Sequence, residues 1–250
     1  MESILDFTRN GLERAAAERR LFVTLTYAQS IDGSIAAARG QQTLLSGQAS
    51  MKMTHSLRTL HEGILVGIGT ILADNPSLNA RCADGPNPQP LVVDAKLQCP
   101  LNIKLFTQDA CKKPWILTLD ESWDQEKVAR KIALEAAGAV ILPCSSKQVD
   151  GKSSGHIDLS DAFRKAFDRG LGSIMVEGGA SILAGCLTTH ASTGNLLDHA
   201  IVTIAPVFIG GFKGVGTLLP AFPRVERLQA CPLENDMVLF GVFSRPDASS

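Results

Sequence analysis

A short segment around residue 177 combines residues that suit an anion-binding turn. An apolar run at 173–176 predicts a strand, and a helical pattern resumes at about residue 182. Between them lie Glu177, Gly178, Gly179, Ala180 and Ser181. The bare amides at a helix N-terminus attract anions, and glycines let a phosphate approach the backbone closely. A carboxylate has no obvious packing role in such a turn. We therefore predict a phosphate or cofactor site here, although a tight turn without a ligand could use the same residues.

A second turn of the same kind follows the apolar run at 64–66, which reads as a strand buried on both faces. Gly67 and Gly69 come next and lead to Thr70 and Asp74. This turn lacks the third glycine and the later acidic residue of the classical dinucleotide fingerprint, so a Rossmann fold is disfavoured. The segment is still compatible with a nucleotide cofactor. Asp74 could bind a ligand or its own turn backbone.

Two arginines are candidates for clamping an anionic group, because a guanidinium binds phosphate through two parallel hydrogen bonds. Arg81 ends the segment that begins at residue 63, and Arg58 shares a helix face with His55, three positions earlier. For either arginine alone, a solvated surface position is the more common role.

Asp32 follows a predicted strand in a Ser-Ile-Asp-Gly turn. It could cap the turn, or it could bind the amino edge of a pyrimidine-like ligand or assist proton transfer. Lys147 and Lys152, in a polar stretch at 143–157, could meet an additional phosphate, although lysines in such loops are usually solvated.

Composition excludes several other classes of function. A net charge of −1 argues against a protein that coats nucleic acid or binds a membrane through a polybasic surface. The six cysteines are scattered without a C-x-x-C pair, which favours reduced thiols and a cytoplasmic location, and we predict no metal site. No apolar run is long enough to predict a membrane span. Hydrolase and Walker motifs are absent from the sequence.

Strand and helix patterns alternate through the middle of the chain, which predicts parallel strands joined by helical crossovers. The last predicted strands, at 199–205 and 237–243, have no helix between them, so part of the sheet should be antiparallel. We predict a three-layer α/β architecture with a mixed, mostly parallel sheet flanked by helices. Residues 1–20 form a solvated helical extension in this interpretation, residues 21–250 form a single domain, and 143–157 is a surface loop.

Several motifs in fixed order resemble the riboflavin-biosynthesis reductases, in particular their stand-alone fungal type. They lie within residues 22–81 and 173–210, and the spacing of the whole chain fits. The motifs are T-L-T-Y-A-Q-S-I-D-G-S-I-A from Thr24, L-S-G from Leu45, M-T-H-x-L-R from Met53, L-V-G-x-G-T-x-L-A-D-N-P-x-L-x-x-R from Leu65 and V-E-G-G-A from Val176. The zinc deaminase signature that accompanies this domain in bacteria has no match.

The resemblance implies a dihydrofolate-reductase-like fold, a homodimer, NADPH as cofactor and a phosphorylated pyrimidine as substrate. In this family the ribosyl side chain is reduced to ribityl by hydride transfer to C1′ of an opened, imine-like form. The implied cofactor contacts are Thr70, Asp74, Leu142, Glu177, Gly178, Gly179, Ala180 and Ser181. The implied substrate contacts are Asp32, Ser46, Arg58, Leu78 and Arg81. Asp32 and Glu177 are the implied catalytic candidates. Relatives often carry an acidic residue two positions after the Ser-Gly pair, and Ser46-Gly47 lacks it.

Two other functions are compatible with the same fold. A pteridine or dihydrofolate reductase would act on dihydrofolate, and a non-catalytic nucleotide-binding module would bind cofactor without turnover.

Overall fold

The computed structural model describes residues 1–41, 43–121, 123–216 and 218–245. The helices are α1 (Glu2–Ala17), α2 (Gln48–Leu60), α3 (Ile68–Asp74), α4 (Lys104–Thr107), α5 (Gln125–Ala136), α6 (Leu159–Asp168) and α7 (Ala180–Thr193). The strands are β1 (Phe22–Ser30), β2 (Ser34–Ala36), β3 (Gly63–Gly67), β4 (Gln89–Val93), β5 (Trp115–Leu119), β6 (Val140–Cys144), β7 (Ser146–Val149), β8 (Lys152–Ile157), β9 (Ser173–Gly178), β10 (His199–Ala205), β11 (Phe212–Lys213), β12 (Val225–Leu233) and β13 (Asp236–Phe243). None of the helices in these ranges has the length and apolar character needed to cross a membrane.

Nine strands form one sheet in the order β12-β13-β10-β1-β9-β3-β4-β5-β6. Seven of them, from β10 to β6, pair in parallel, whereas β13 runs antiparallel to both β10 and β12. The predicted mixed, mostly parallel sheet is therefore confirmed, including its antiparallel end. Because the parallel strands share a direction, β1, β3 and β9 present their carboxyl ends side by side at one edge.

Successive side chains along each strand point to opposite faces of the sheet, and this alternation divides the core into two layers. Leu65 and Val176 pack against α6 and α7, whereas Ile64 and Met175, one position earlier, face the other side. That other side is covered by α3 and α5 at one end and by α1 and α2 at the opposite end. The predicted three-layer arrangement follows from this alternation.

Two local predictions were wrong. The stretch at 143–157 is not a loop, because it ends β6 and then forms the antiparallel hairpin β7–β8. The sequence interpretation also omitted β12, which forms an edge of the large sheet. Most β12 side chains are exposed, so the strand carries no strong apolar periodicity, and Pro232 is tolerated near its end.

The N-terminal helix is packed rather than solvated on all sides. Ile4 and Leu5 are buried against α2 and the sheet. At Gly11 the helix comes so close to the sheet that a Cβ atom would lie 2.5 Å from the His199 ring and 2.7 Å from Phe22. This contact requires glycine. The division of the chain into an extension at 1–20 and a single domain at 21–250 stays a prediction.

Candidate active site

A cavity of about 550 Å³ lies at the carboxyl edge of the sheet. The central strands contribute its floor, α2 and α3 contribute walls, and the segment after α3 closes one side. Its lining includes Thr26, Tyr27, Ser46, His55, Arg58, Val66, Thr70, Asp74, Leu78, Arg81, Lys104, Glu177 and Thr203. The volume falls in the range of small-molecule sites, which is about 300–1,000 Å³. Seven of the thirteen site residues implied by the resemblance line this cavity. The other six are not part of its lining, namely Asp32, Leu142, Gly178, Gly179, Ala180 and Ser181.

Glu177 reaches the cavity because β9 contains a bulge at this position. In the pairing with β3, Leu65 is opposite Val176 but Val66 is opposite Gly178, which leaves Glu177 without a partner in the ladder. A bulge turns a side chain away from its regular direction. The carboxylate accepts hydrogen bonds from Nε and Nη2 of Arg58, both at 2.7 Å.

Arg58 is held in place by this ion pair and by a further hydrogen bond, in which its Nη1 donates to the backbone oxygen of Asn79 at 2.8 Å. Only 12% of the Arg58 side chain and 15% of the Glu177 side chain are exposed. Burial alone would lower the pKa of Arg58, but the charge of Glu177 and their hydrogen bonds more than offset it and keep the pKa above its ordinary value. The contacts favour a role for Arg58 in orienting Glu177, and its direct contact with a phosphate stays a prediction.

Arg81 differs from Arg58, because it has no hydrogen-bond or ion-pair partner within the described ranges. It lines the cavity from the end of the segment after α3, where it is exposed. In the same segment the buried Leu78 has a φ of 49°, a left-handed conformation that is unusual for a bulky side chain. Such strain tends to occur at ligand-binding sites. This wall therefore presents one apolar and one cationic group.

The two glycine turns meet at the wall that contains Thr70. The backbone N–H of Gly179 donates to Oγ1 of Thr70 at 3.0 Å, which joins the start of α7 to α3. Gly178 has a φ of 97°, a conformation that favours glycine. No side chain caps the N-terminus of α7. The first amides of that helix are therefore available to an anionic group.

Asp74 also faces this wall, and its Oδ1 is buried without a hydrogen-bond partner in the described part of the chain. Burial raises the pKa of Asp74 above its ordinary value. An unpaired buried carboxylate oxygen is costly, so a ligand that donates a hydrogen bond would be favoured there. Together with the uncapped helix, this orphaned oxygen fits a nucleotide cofactor that carries phosphates and an amide donor.

Ser46 lines the cavity just before Gly47, the N-cap of α2. Two residues of the predicted site have other surroundings. Leu142 is 3% exposed in the core and is not part of the cavity lining, so its contact with a cofactor stays a prediction. Asp32 also lies outside the lining. It binds the loop before β11, where Ile209 N and Gly210 N donate to its two oxygens at 3.0 and 2.8 Å.

Asp32 is further held by Lys213, whose Nζ donates to Oδ2 at 2.8 Å, and by Ser30, whose Oγ donates to Oδ1 at 2.5 Å. The hydrogen bonds from Lys213, Ser30 and the Ile209 amide hold the pKa of Asp32 well below its ordinary value. Each carboxylate oxygen of Asp32 thus accepts at least two hydrogen bonds, whereas each oxygen of Glu177 accepts one. The contacts of Asp32 favour a structural role, and contact between Asp32 and the substrate stays a prediction.

Sequence reasoning did not assign a role to several polar residues of the cavity, among them Tyr27, His55 and Lys104. Burial raises the pKa of Tyr27, which keeps its phenol protonated. His55 gave a usable signal, because it shares a helix face with Arg58. Tyr27 and Lys104 gave none, since they reach the cavity from parts of the chain that only the fold brings together.

Comparison with known proteins identifies relatives over nearly the whole chain. A family model described as the RibD C-terminal domain matches residues 21–239. A Debaryomyces hansenii protein named 2,5-diamino-6-ribosylamino-4(3H)-pyrimidinone 5′-phosphate reductase is 37% identical over 217 residues, which cover 83% of each chain. A Methanothermobacter thermautotrophicus protein of the same name is 31% identical over 231 residues, covering 88% of this chain and 97% of that protein.

The fold has a counterpart among solved structures as well. The Saccharomyces cerevisiae riboflavin biosynthesis reductase Rib7 superposes with a TM-score of 0.67 at 28% identity, over 90% of this chain and 91% of that one. The fold class predicted from the resemblance is thereby confirmed.

Proposed function

The chain belongs to the RibD C-terminal domain family, and on that premise we propose that it reduces 2,5-diamino-6-(ribosylamino)-4(3H)-pyrimidinone 5′-phosphate to the ribitylamino product, with NADPH as hydride donor. It is an oxidoreductase of riboflavin biosynthesis. The observation that carries the proposal is the cavity itself, which brings Thr70 and Glu177 of the two glycine turns together with Arg81, a cation without a partner in the described residues.

The wall formed by α3 and the start of α7 suits the cofactor. Its pyrophosphate would lie at the amides of Ala180 and Ser181, next to Gly178 and Gly179, because this helix end has no capping side chain. Thr70 and the unpaired oxygen of Asp74 would bind the nicotinamide end. When bound, NADPH supplies the hydride that reduces C1′ of the opened ribose.

The wall formed by α2 and the segment after α3 suits the substrate. Arg81 would bind the 5′-phosphate, for which a guanidinium is well shaped, and Leu78 would pack on the pyrimidine or the sugar. Ser46 would add a hydroxyl on the same side. This placement brings the sugar between the two walls, where the reacting carbon must lie.

Glu177 would act at the centre of the cavity. Its carboxylate is fixed by Arg58 and needs no rearrangement during the reaction. An imine-like carbon that accepts a hydride carries positive charge, and a preorganised carboxylate stabilises such charge. Glu177 thus contributes electrostatic stabilisation and contact with both ligands.

We also propose that the protein is a homodimer. Phe208 is 73% exposed and Val207 is 40% exposed, beside the antiparallel end of the sheet. A symmetric contact through this region would cover apolar surface on both copies. Light scattering after gel filtration measures the mass, and a monomer at micromolar concentration would contradict the proposal. A cytoplasmic location stays a prediction from the scattered cysteines.

The proposed function is tested by following NADPH absorbance with the purified protein and the pyrimidine phosphate. We expect substrate-dependent loss of absorbance and formation of the ribitylamino product. Dihydrofolate in place of the pyrimidine is the control for a folate-type reductase. NADPH binding without turnover of either compound would identify a non-catalytic module and would overturn the proposal.

A further inference from the structure

His55 occupies the substrate wall between the two arginines. It lies on α2, one helical turn before Arg58, and it lines the cavity together with Arg81. The residue is 2% exposed, and its Nδ1 has no hydrogen-bond partner among the residues that the structure describes. A leucine would fill such a position without leaving a polar atom unpaired. A buried imidazole beside a cavity therefore needs an explanation.

Unpaired ring nitrogens alone do not show that a histidine belongs to a ligand-binding site. His199 has neither nitrogen paired within the same ranges, yet it stacks on Phe7 at 4.1 Å inside an aromatic cluster. His61, at the end of α2, bonds Oγ1 of Thr24 and the oxygen of Leu57, both at 2.8 Å, and is a structural histidine. His55 differs from both, because it borders the cavity.

The charges around His55 keep it neutral in the free protein. Burial, then Arg58 and then Arg81 lower the pKa of the imidazole to about 4, while Glu177 and the backbone of Asn79 act in the opposite direction. Tyr27, which faces the cavity from β1, adds no charge because burial keeps its phenol protonated. Arg58 is paired with Glu177, so Arg81 is the cation beside the neutral imidazole that is available to a strong anion.

We propose that His55 takes up a proton from solvent when the phosphate of the substrate binds beside Arg81, and that the imidazolium then donates a hydrogen bond to the phosphorylated end. This inference rests on the proposed function. A phosphate carries close to two negative charges near neutral pH, which exceeds the single positive charge of Arg81 that is left once Arg58 is paired with Glu177. Since an anion favours the charged form of a nearby imidazole, binding and protonation reinforce each other. Release of the product returns the proton to solvent.

The test uses ribose 5-phosphate as a probe of the phosphate site, independently of turnover. Isothermal titration in two buffers with different ionisation enthalpies measures the protons taken up per ligand bound. Wild type should take up more protons than His55→Gln. The affinity advantage of wild type over His55→Gln should grow to about tenfold as the pH falls from about 8 to 6, which is the range in which a histidine changes charge.

The matched control is His156→Gln, since His156 is exposed on β8 and lies outside the cavity. It should bind the probe and take up protons as wild type does. Equal proton uptake in wild type and His55→Gln, or an affinity ratio that is constant with pH, would overturn the inference. If His55→Gln does not fold, NMR titration of the wild-type His55 ring decides. A ring that stays neutral at about pH 6 with the probe bound contradicts the proposal.

The outcomes separate this inference from the proposed function. If wild type oxidises NADPH with the pyrimidine phosphate but shows no His55-dependent proton uptake, only the role of His55 fails. If no turnover occurs while ribose 5-phosphate still binds with uptake at His55, the phosphate site stands and the proposed reaction fails.

Discussion

Asp32 lies just after β1 and Glu177 lies near the end of β9, and both carboxylates bind a cation, yet their surroundings differ. The partners of Asp32 are Lys213 and two backbone amides of one loop, and the residue lies outside the cavity lining. Glu177 is bound by the guanidinium of Arg58 at the floor of the cavity. The Asp32 carboxylate holds a loop in place, and the Glu177 carboxylate presents its charge to the cavity.

The difference shows that the role of a carboxylate at a strand end cannot be assigned until its hydrogen-bond partners are known. A motif such as Asp-Gly after a strand places the side chain at the correct edge of the sheet, but the edge contains both loop anchors and site residues. Residues far away in the sequence decide between them. Lys213 is 181 positions from Asp32, and Arg58 is 119 positions from Glu177.

The largest effect should come from Glu177→Leu. It removes the proposed stabilising charge and leaves Arg58 without its partner in a largely buried place. We expect loss of measurable turnover and a decrease of about 3–5 kcal/mol in the free energy of unfolding, as for other broken buried pairs. Steady-state kinetics and urea unfolding measure the two quantities.

The double variant Arg58→Leu, Glu177→Leu separates stability from catalysis. Replacement of both charges by apolar groups should recover much of the lost stability, because no unpaired buried charge is left. Turnover should stay absent. Turnover in either variant near the wild-type rate would place Glu177 with Asp32 as a purely structural carboxylate.

Arg81→Ala should have the next largest effect. Loss of a charged hydrogen bond to phosphate costs about 1.5–3 kcal/mol, so KM for the pyrimidine phosphate should rise by roughly 10- to 150-fold. The KM for NADPH and the free energy of unfolding should stay near wild type, since Arg81 is exposed. Arg14→Ala, an exposed arginine on α1, is the control. An unchanged substrate KM would remove Arg81 from the site.

The parts of this site that the sequence predicts are those that short segments encode. The Gly67 and Gly178 turns follow apolar runs that only a buried strand explains, and Arg81 stands at the end of one of these segments. The Arg58–Glu177 pair is different, because it depends on the bulge in β9 and on the packing of α2. Neither the bulge nor the packing of α2 is encoded in a local sequence pattern.

Thr70→Val tests the contact between the two glycine turns. The substitution keeps the shape of the side chain but removes the acceptor of the Gly179 N–H. One neutral hydrogen bond contributes about 0.5–1.5 kcal/mol, so we expect a loss of this size in stability and a rise in KM for NADPH. The KM for the pyrimidine phosphate should change less. The opposite pattern would assign Thr70 to the substrate wall.

Asp32→Asn should have the smallest effect on turnover, because Asp32 lies outside the cavity lining. It should lower the melting temperature, since the amide cannot accept from Lys213 and the loop amides as the carboxylate does. The hydrogen bonds from Lys213, Ser30 and Ile209 lower the pKa of Asp32 in the folded protein. The carboxylate therefore contributes stability above its unfolded pKa of about 3.9, and this contribution is lost as the pH falls below that value. The difference in melting temperature between wild type and Asp32→Asn should thus shrink as the solution is acidified. If kcat falls as far as in Glu177→Leu while the melting temperature is unchanged, the two carboxylates share a catalytic role and the contrast between them is wrong.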